Sequence, residues 1–212
     1  MWATIKTKLA DPIKTYVDSI QTAVDAAMDN LGWLKITSAT AATSAALNFT
    51  SGIGSDHTCY RFYVNNLRPA TDGQTLRFQI SDDGGSTYEA DATDYEYSSA
   101  AIDSDTDGWN TDGEPSQGQT YIPLLFSMGN VATETAFGWV DLFDPSNTTS
   151  YKHIQWKLQC FSDAATAVLR GEYGIGAHNG GDASAAAVNA CRFIMSSGNL
   201  TSGTITMYGL ID

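Results

Sequence analysis

Ile154-Gln155-Trp156-Lys157-Leu158-Gln159-Cys160 decides the fold: apolar residues stand at every second position with Gln, Lys and Gln between them. Successive side chains of an extended chain leave opposite faces, so this segment is a strand with one buried and one wet face. The same alternation lies upstream, where Tyr60, Phe62 and Val64 interleave with Cys59, Arg61 and Tyr63, and Leu76, Phe78 and Ile80 interleave with Arg77 and Gln79. Asp83-Gly84-Gly85, Asp144-Pro145-Ser146-Asn147 and Gly198-Asn199 carry turn chemistry, and each is expected to join two such runs as a hairpin. Further strands are expected near 33–37, 45–50, 121–126, 137–143, 167–175, 189–196 and 203–210. About eight to ten short strands without intervening helices predict a mainly β chain, a jelly-roll-like β-sandwich over residues 33–212.

The one long helical signal precedes the strands, over residues 12–31, within an N-terminal segment 1–32. Asp11 is the N-cap, Pro12 occupies the first helical position, and Gly32 closes the helix. Ile13, Val17, Ile20, Val24, Ala27 and Leu31 step by alternating fours and threes, a heptad seam about three heptads long. Its β-branched residues favour three or more strands over a parallel dimer. Two uses fit the seam: a homotrimer interface, or packing of the stripe on the chain's own sandwich. The e and g positions Gln21, Ala23, Met28 and Asn30 bring no pairing charges that decide between them.

The 212 residues include 24 acidic and 11 basic side chains, a formal charge of −13 that argues against nucleic acid as a partner. Apolar residues make up 42% and charged residues 17%, the balance of a globular domain. The negative charge is regional, since no Lys or Arg lies between Arg77 and Lys152 while 14 carboxylates do. Lys6, Lys8, Asp11 and Lys14 interrupt any apolar stretch that would read as an export signal, and no segment reads as a membrane span, so a soluble chain is expected. Cys59, Cys160 and Cys191 are widely spaced and set in apolar alternating runs, which predicts buried free thiols and folding in a reducing compartment.

Within the acidic region, the run from Asp103 to Glu114 satisfies the twelve-residue calcium-loop pattern D-x-D-x-D-G-x5-E. Asp103, Asp105, Asp107 and a bidentate Glu114 are the candidate Ca2+ ligands, joined by the Trp109 carbonyl, with Gly108 allowing the sharp turn. The flanks are not helical in pattern and Asn110 stands where an EF-hand has an apolar residue, so this is a calcium loop between strands or a solvated acidic turn. Tyr95, Tyr97, Trp109 and Tyr121 lie in or beside it and form a candidate glycan platform, the alternative being that they fold back to cap the sandwich edge.

Catalysis has no comparable signal. The chain contains no H-E-x-x-H, G-x-S-x-G, P-loop or G-x-G-x-x-G sequence, and His57, His153 and His178 are isolated. Carboxylate pairs such as Asp82 with Asp83 or Glu89 with Asp91 could serve glycoside hydrolysis at the right separation, but so acidic a chain produces such pairs by chance. No enzyme activity is expected.

Several stretches carry a family resemblance: Arg68-Pro69-Ala70-Thr71-Asp72, Ser81-Asp82-Asp83-Gly84-Gly85-Ser86-Thr87-Tyr88, the segment from Leu142 to His153, and above all Phe193-Ile194-Met195-Ser196-Ser197-Gly198-Asn199-Leu200-Thr201-Ser202-Gly203-Thr204-Ile205-Thr206-Met207-Tyr208-Gly209. They resemble small β-rich structural proteins, of fibre or spike type, from tailed and often marine bacteriophages. The resemblance covers roughly residues 33–210 and leaves out both the calcium-like loop and the N-terminal helix. It implies a virion structural protein made in the host cytoplasm and carried on the exterior of the particle, with other virion proteins as partners. Three roles follow. The first is a trimeric tail-fibre or receptor-binding component attaching to host-surface glycan, where several weak sites on one particle add up. The second is a capsid decoration protein or head fibre docked through its helix. A polysaccharide depolymerase is third, without a recognisable acid pair or β-helix repeat to support it.

Overall fold

The computed structural model describes residues 14–16, 18–20, 32–105, 109–110, 116–162, 168–180 and 186–211, with backbone alone at 109–110. Thirteen strands follow one another: β1 Trp33–Thr40, β2 Ala46–Phe49, β3 Cys59–Pro69, β4 Gln74–Ser81, β5 Tyr95–Asp103, β6 Trp109–Asn110, β7 Ser116–Gln119, β8 Ile122–Met128, β9 Ala136–Phe143, β10 Lys152–Phe161, β11 Leu169–His178, β12 Ala190–Met195 and β13 Leu200–Leu210. They form two antiparallel sheets. The larger has nine strands in the order β1-β13-β3-β9-β10-β11-β5-β6, with β7 also on β5, and the smaller runs β2-β12-β4-β8.

The alternating runs place their apolar sides between the sheets. Ile154, Trp156, Leu158 and Cys160 of β10 are buried while His153, Gln155, Lys157 and Gln159 face outward. Phe62 of the large sheet meets Phe49 and Phe193 of the small one at ring-centroid distances of 5.1 and 5.4 Å, and Phe78 meets Phe193 at 5.2 Å, all in edge-to-face or tilted contact. Gly174 is where β11 passes over the Trp156 indole, since a Cβ there would run into the ring. All three cysteines are buried thiols outside any disulfide, as expected.

Because the small sheet ends at β8, the inner side of β11 and β5 beyond it is polar. Arg170 donates to both oxygens of Asp103 at 2.8 and 2.9 Å in a buried pair. Glu172, fully buried, accepts from the Phe126 amide on the open edge of β8 at 2.9 Å, which saturates an edge donor.

Two of the three expected hairpins are not hairpins. β9 and β10 do pair across the Asp144–Asn147 turn, but β4 leads into β5, and β12 into β13, by crossing from one sheet to the other. Both connections carry Gly beside Asp or Asn, the residues a hairpin turn also needs, so composition alone does not separate a hairpin from a crossing between sheets. The strand over Tyr95–Asp103 was also not expected, because Ser98, Ser99, Ala100 and Ala101 give it no alternation. At the N-terminus, residues 14–16 and 18–20 are helical. Of the seam residues only Ile20 lies among the described residues, where it is 45% exposed; Ile13, Val17, Val24, Ala27 and Leu31 lie outside them. No helix among the described residues is long and apolar enough to cross a membrane.

Candidate functional site

The outward face of the nine-stranded sheet is not the polar face that alternation normally leaves to water. Trp33 of β1, Arg61 of β3, Trp139 of β9, Lys157 of β10 and Tyr173 of β11 form a row running across the strands. The Arg61 guanidinium lies 4.5 Å from the Trp33 ring centroid and 5.3 Å from that of Trp139, and the Lys157 ammonium lies 5.6 Å from Trp139 and 5.1 Å from Tyr173. Cross-strand register builds the row: Lys157 sits opposite both Trp139 and Tyr173, and Arg61 opposite Asp141. Asp141 grips Arg61 with two hydrogen bonds of 2.7 Å each, and that bond raises the pKa of the guanidinium further. The plane of the guanidinium is thereby fixed between two indoles. With neighbouring strands about 4.8 Å apart, the row from β1 to β11 is roughly 24 Å long.

Depressions flank the row on the same face. One of about 280 Å³ is bounded by Tyr63, Trp139, Lys157 and Gln159, and another of about 210 Å³ by Ile102, Gln159, Leu169 and Tyr173. The largest, an open groove of about 800 Å³, runs along the β5 end of the sheet between Phe143, His153, Gln155, Ile175 and Glu96. Gly171, opposite Gln159 and Ile102, contributes no side chain and keeps the floor low. The face therefore offers flat rings, fixed cations and amide or carboxylate groups at groove depth. Chemically, such rings can stack on the apolar faces of polyhydroxy units, and the exposed Gln155, Gln159 and Lys157 can hydrogen-bond hydroxyls.

The aromatic platform expected from the sequence is not assembled as such. Tyr95 is fully buried: its hydroxyl accepts from the Ile80 amide at 3.0 Å and donates to the Glu89 carbonyl at 3.1 Å, so it is a core residue, because β5 turns that position inward. Tyr97, two residues on, rests against the core from the inner side. Tyr121 lies under the Arg77 guanidinium, 3.9 Å from its ring centroid, on the other sheet. The Trp109 side chain is outside the described residues, although its backbone pairs with Ile102. Tyr95 belongs to the core, Tyr97 also borders the large groove, Tyr121 stacks under Arg77, and the exposed rings stand elsewhere, at Tyr63 and Tyr173, with Trp139 half-buried beside them.

Of the candidate calcium ligands, Asp103 has both carboxylate oxygens on Arg170, and Asp105 is exposed. Asp107 and Glu114 lie outside the described residues. Ile102 pairs with Trp109 where β5 meets β6, and the first carboxylate of the stretch, Asp103, already has a cation.

No protein-family description matches the chain, and no curated protein does. Among solved structures, a GH16 protein of the Bacteroides ovatus mixed linkage glucan PUL, in complex with a product, aligns over 82% of this chain and 78% of its own at 9% identity and a TM-score of 0.24. An uncharacterized protein from Mycobacterium paratuberculosis aligns over 82% and 80% at 9% identity and a TM-score of 0.23. Neither likeness bears on what the chain does.

Proposed function

We propose that this chain is a binding protein without catalytic activity, which holds a surface polysaccharide along the outward face of its nine-stranded sheet. The observation that carries the reading is the row Trp33, Arg61, Trp139, Lys157 and Tyr173, in which half-buried indoles and an ion-paired Arg61 stand beside exposed Lys157 and Tyr173 and open grooves. The strand orders β1-β13-β3-β9 and β2-β12-β4-β8 support a jelly-roll winding, in which strand pairs 1–2, 3–4, 8–9 and 12–13 are shared between sheets, an architecture common to lectin and capsid domains. Combined with the resemblance of residues 33–210 to phage structural proteins, this makes a host-glycan-binding component on the exterior of a virion our working assignment. The helical seam is its trimerisation or docking device.

A glycan array probed with the intact chain tests it. A signal is expected for at least one bacterial surface polysaccharide, without turnover, and Trp139→Ala and Tyr173→Ala are each expected to weaken it about tenfold. Retained binding in both variants removes the site, and release of shorter sugars moves the protein to the depolymerase class.

One observation favours a second occupant at the far end of the same face. Phe161, Leu169 and Ile102 are 39%, 43% and 42% exposed and lie together where the end of β10 and the start of β11 meet the end of β5, an apolar group on the outer face. Another protomer or a neighbouring particle protein covers such a patch better than a glycan does.

A further inference from the structure

Away from that face, the connection between β4 and β5 and the end of β11 enclose a cavity of about 130 Å³ lined by Asp82, Glu89, Asp91, Asp94 and His178. It has room for an ion and a few waters and is too small for a sugar. One donor atom each from Glu89, Asp94 and His178 lie within 4.8 Å of one another. Their backbones are pinned. The Glu89 amide donates to the Ile80 carbonyl at 2.9 Å and its carbonyl accepts from the Tyr95 hydroxyl at 3.1 Å. His178 is the cross-strand partner of Tyr95, and the Asn179 amide donates to the Asp94 carbonyl at 3.0 Å. The Tyr95 ring meets the imidazole edge-on at 5.3 Å and holds its plane.

An independent observation points to a ligand in this cavity. His178 is only 5% exposed, and its buried Nε2 has no hydrogen-bond partner among the described residues. Buried ring nitrogens are seldom left so, and here two carboxylates lie close by without engaging it. Asp94 is already oriented by the Asp91 amide at 2.6 Å, as ligating carboxylates are held by a second layer of bonds.

We propose that Glu89, Asp94 and His178 bind one divalent transition-metal ion, with Zn2+ preferred, and that the ion clips the β4–β5 connection to the end of β11. The imidazole nitrogen in the donor set selects an ion of the Zn2+ or Mn2+ kind over Ca2+, which prefers six to eight oxygens. Three protein donors leave a position for water or for Asp82 or Asp91. This inference stands apart from the glycan reading and does not depend on it.

The test is calorimetry of the EDTA-treated full chain with ZnCl2, in parallel with His178→Gln and Glu89→Gln, each checked for folding by circular dichroism. One equivalent of Zn2+ is expected, with a rise in melting temperature and a shift of the His178 ring signals in NMR. Each variant should lose about 10- to 100-fold or more in affinity, at least what loss of an outer-layer partner costs. If His178→Gln does not fold, Glu89→Gln decides, because its backbone anchors are untouched. Absence of stoichiometric Zn2+ binding, undiminished binding in both variants, or binding of Ca2+ alone with no effect of His178→Gln overturns the assignment; the last result would return attention to the acidic sequence at 103–114.

Discussion

Arg170 and Asp103 are two charges withdrawn from water, and their bidentate contact offsets the cost of desolvation only while both are present. Asp103→Ala is expected to lower the unfolding free energy by about 3–5 kcal/mol, and Arg170→Met added to it to cost much less than a second such amount, as a urea-melt double-mutant cycle would record. If EDTA or added Ca2+ changes the effect of Asp103→Ala, the carboxylate has a second role that the ion pair does not explain. Gly174 is a residue-scale constraint of another kind. Its Cα lies on the Trp156 indole, so Gly174→Ala forces the ring or the strand aside and is expected to cost about 1–3 kcal/mol in the same assay. Burial pushes the Cys160 thiol up to about 12 and Cys191 well above its ordinary value. At pH 8 a thiol reagent should therefore react little with the native chain and titrate three thiols once it is unfolded; rapid native reaction would mean that the sheets open.

At the scale of elements, the connection after β4 is organised by Asp83, whose carboxylate accepts from the Thr87 amide and hydroxyl and from the Ser81 hydroxyl. Those bonds lower its pKa from 3.8 to about 2. A depressed carboxyl stabilises the fold above its unfolded value, and that contribution is lost as pH falls from about 3.8 toward 2. Asp83→Asn should flatten the acid limb of the stability curve in that window, and an NMR titration should place the Asp83 midpoint well below an ordinary aspartate. Strand existence was legible wherever apolar and polar residues alternate, as in β3, β4 and β10. It was not legible in β5, where Ser and Ala remove the contrast, and the β4–β5 and β12–β13 connections read like hairpins because both carry glycines in the left-handed region, Gly84 and Gly85 in the first and Gly198 in the second. The outward residues Arg61, Tyr63 and Lys157 were also visible in the sequence. Their meaning was hidden, because Trp33, Trp139 and Tyr173 join them only through register across six strands. His178 likewise looked isolated until the β11–β5 pairing brought it beside Asp94.

For the whole molecule, a large sheet overhanging a small one leaves a broad outer surface with its own aromatic content, and the charge of −13 keeps that surface soluble without protecting it from partners. Light scattering of the full chain against a chain starting at Gly32 is expected to give a trimer and a monomer; equal masses would assign the seam to a particle partner. The glycan-binding face is the central claim, and its indole rings supply the most direct test. With the polysaccharide fragment that binds best, a proton–nitrogen NMR titration should shift the indole signals of Trp33 and Trp139, which lie in the outward row, and leave that of Trp156, which is 2% exposed between the sheets, in place. Shifts confined to other residues, or an unchanged spectrum while the glycan is bound, would contradict it.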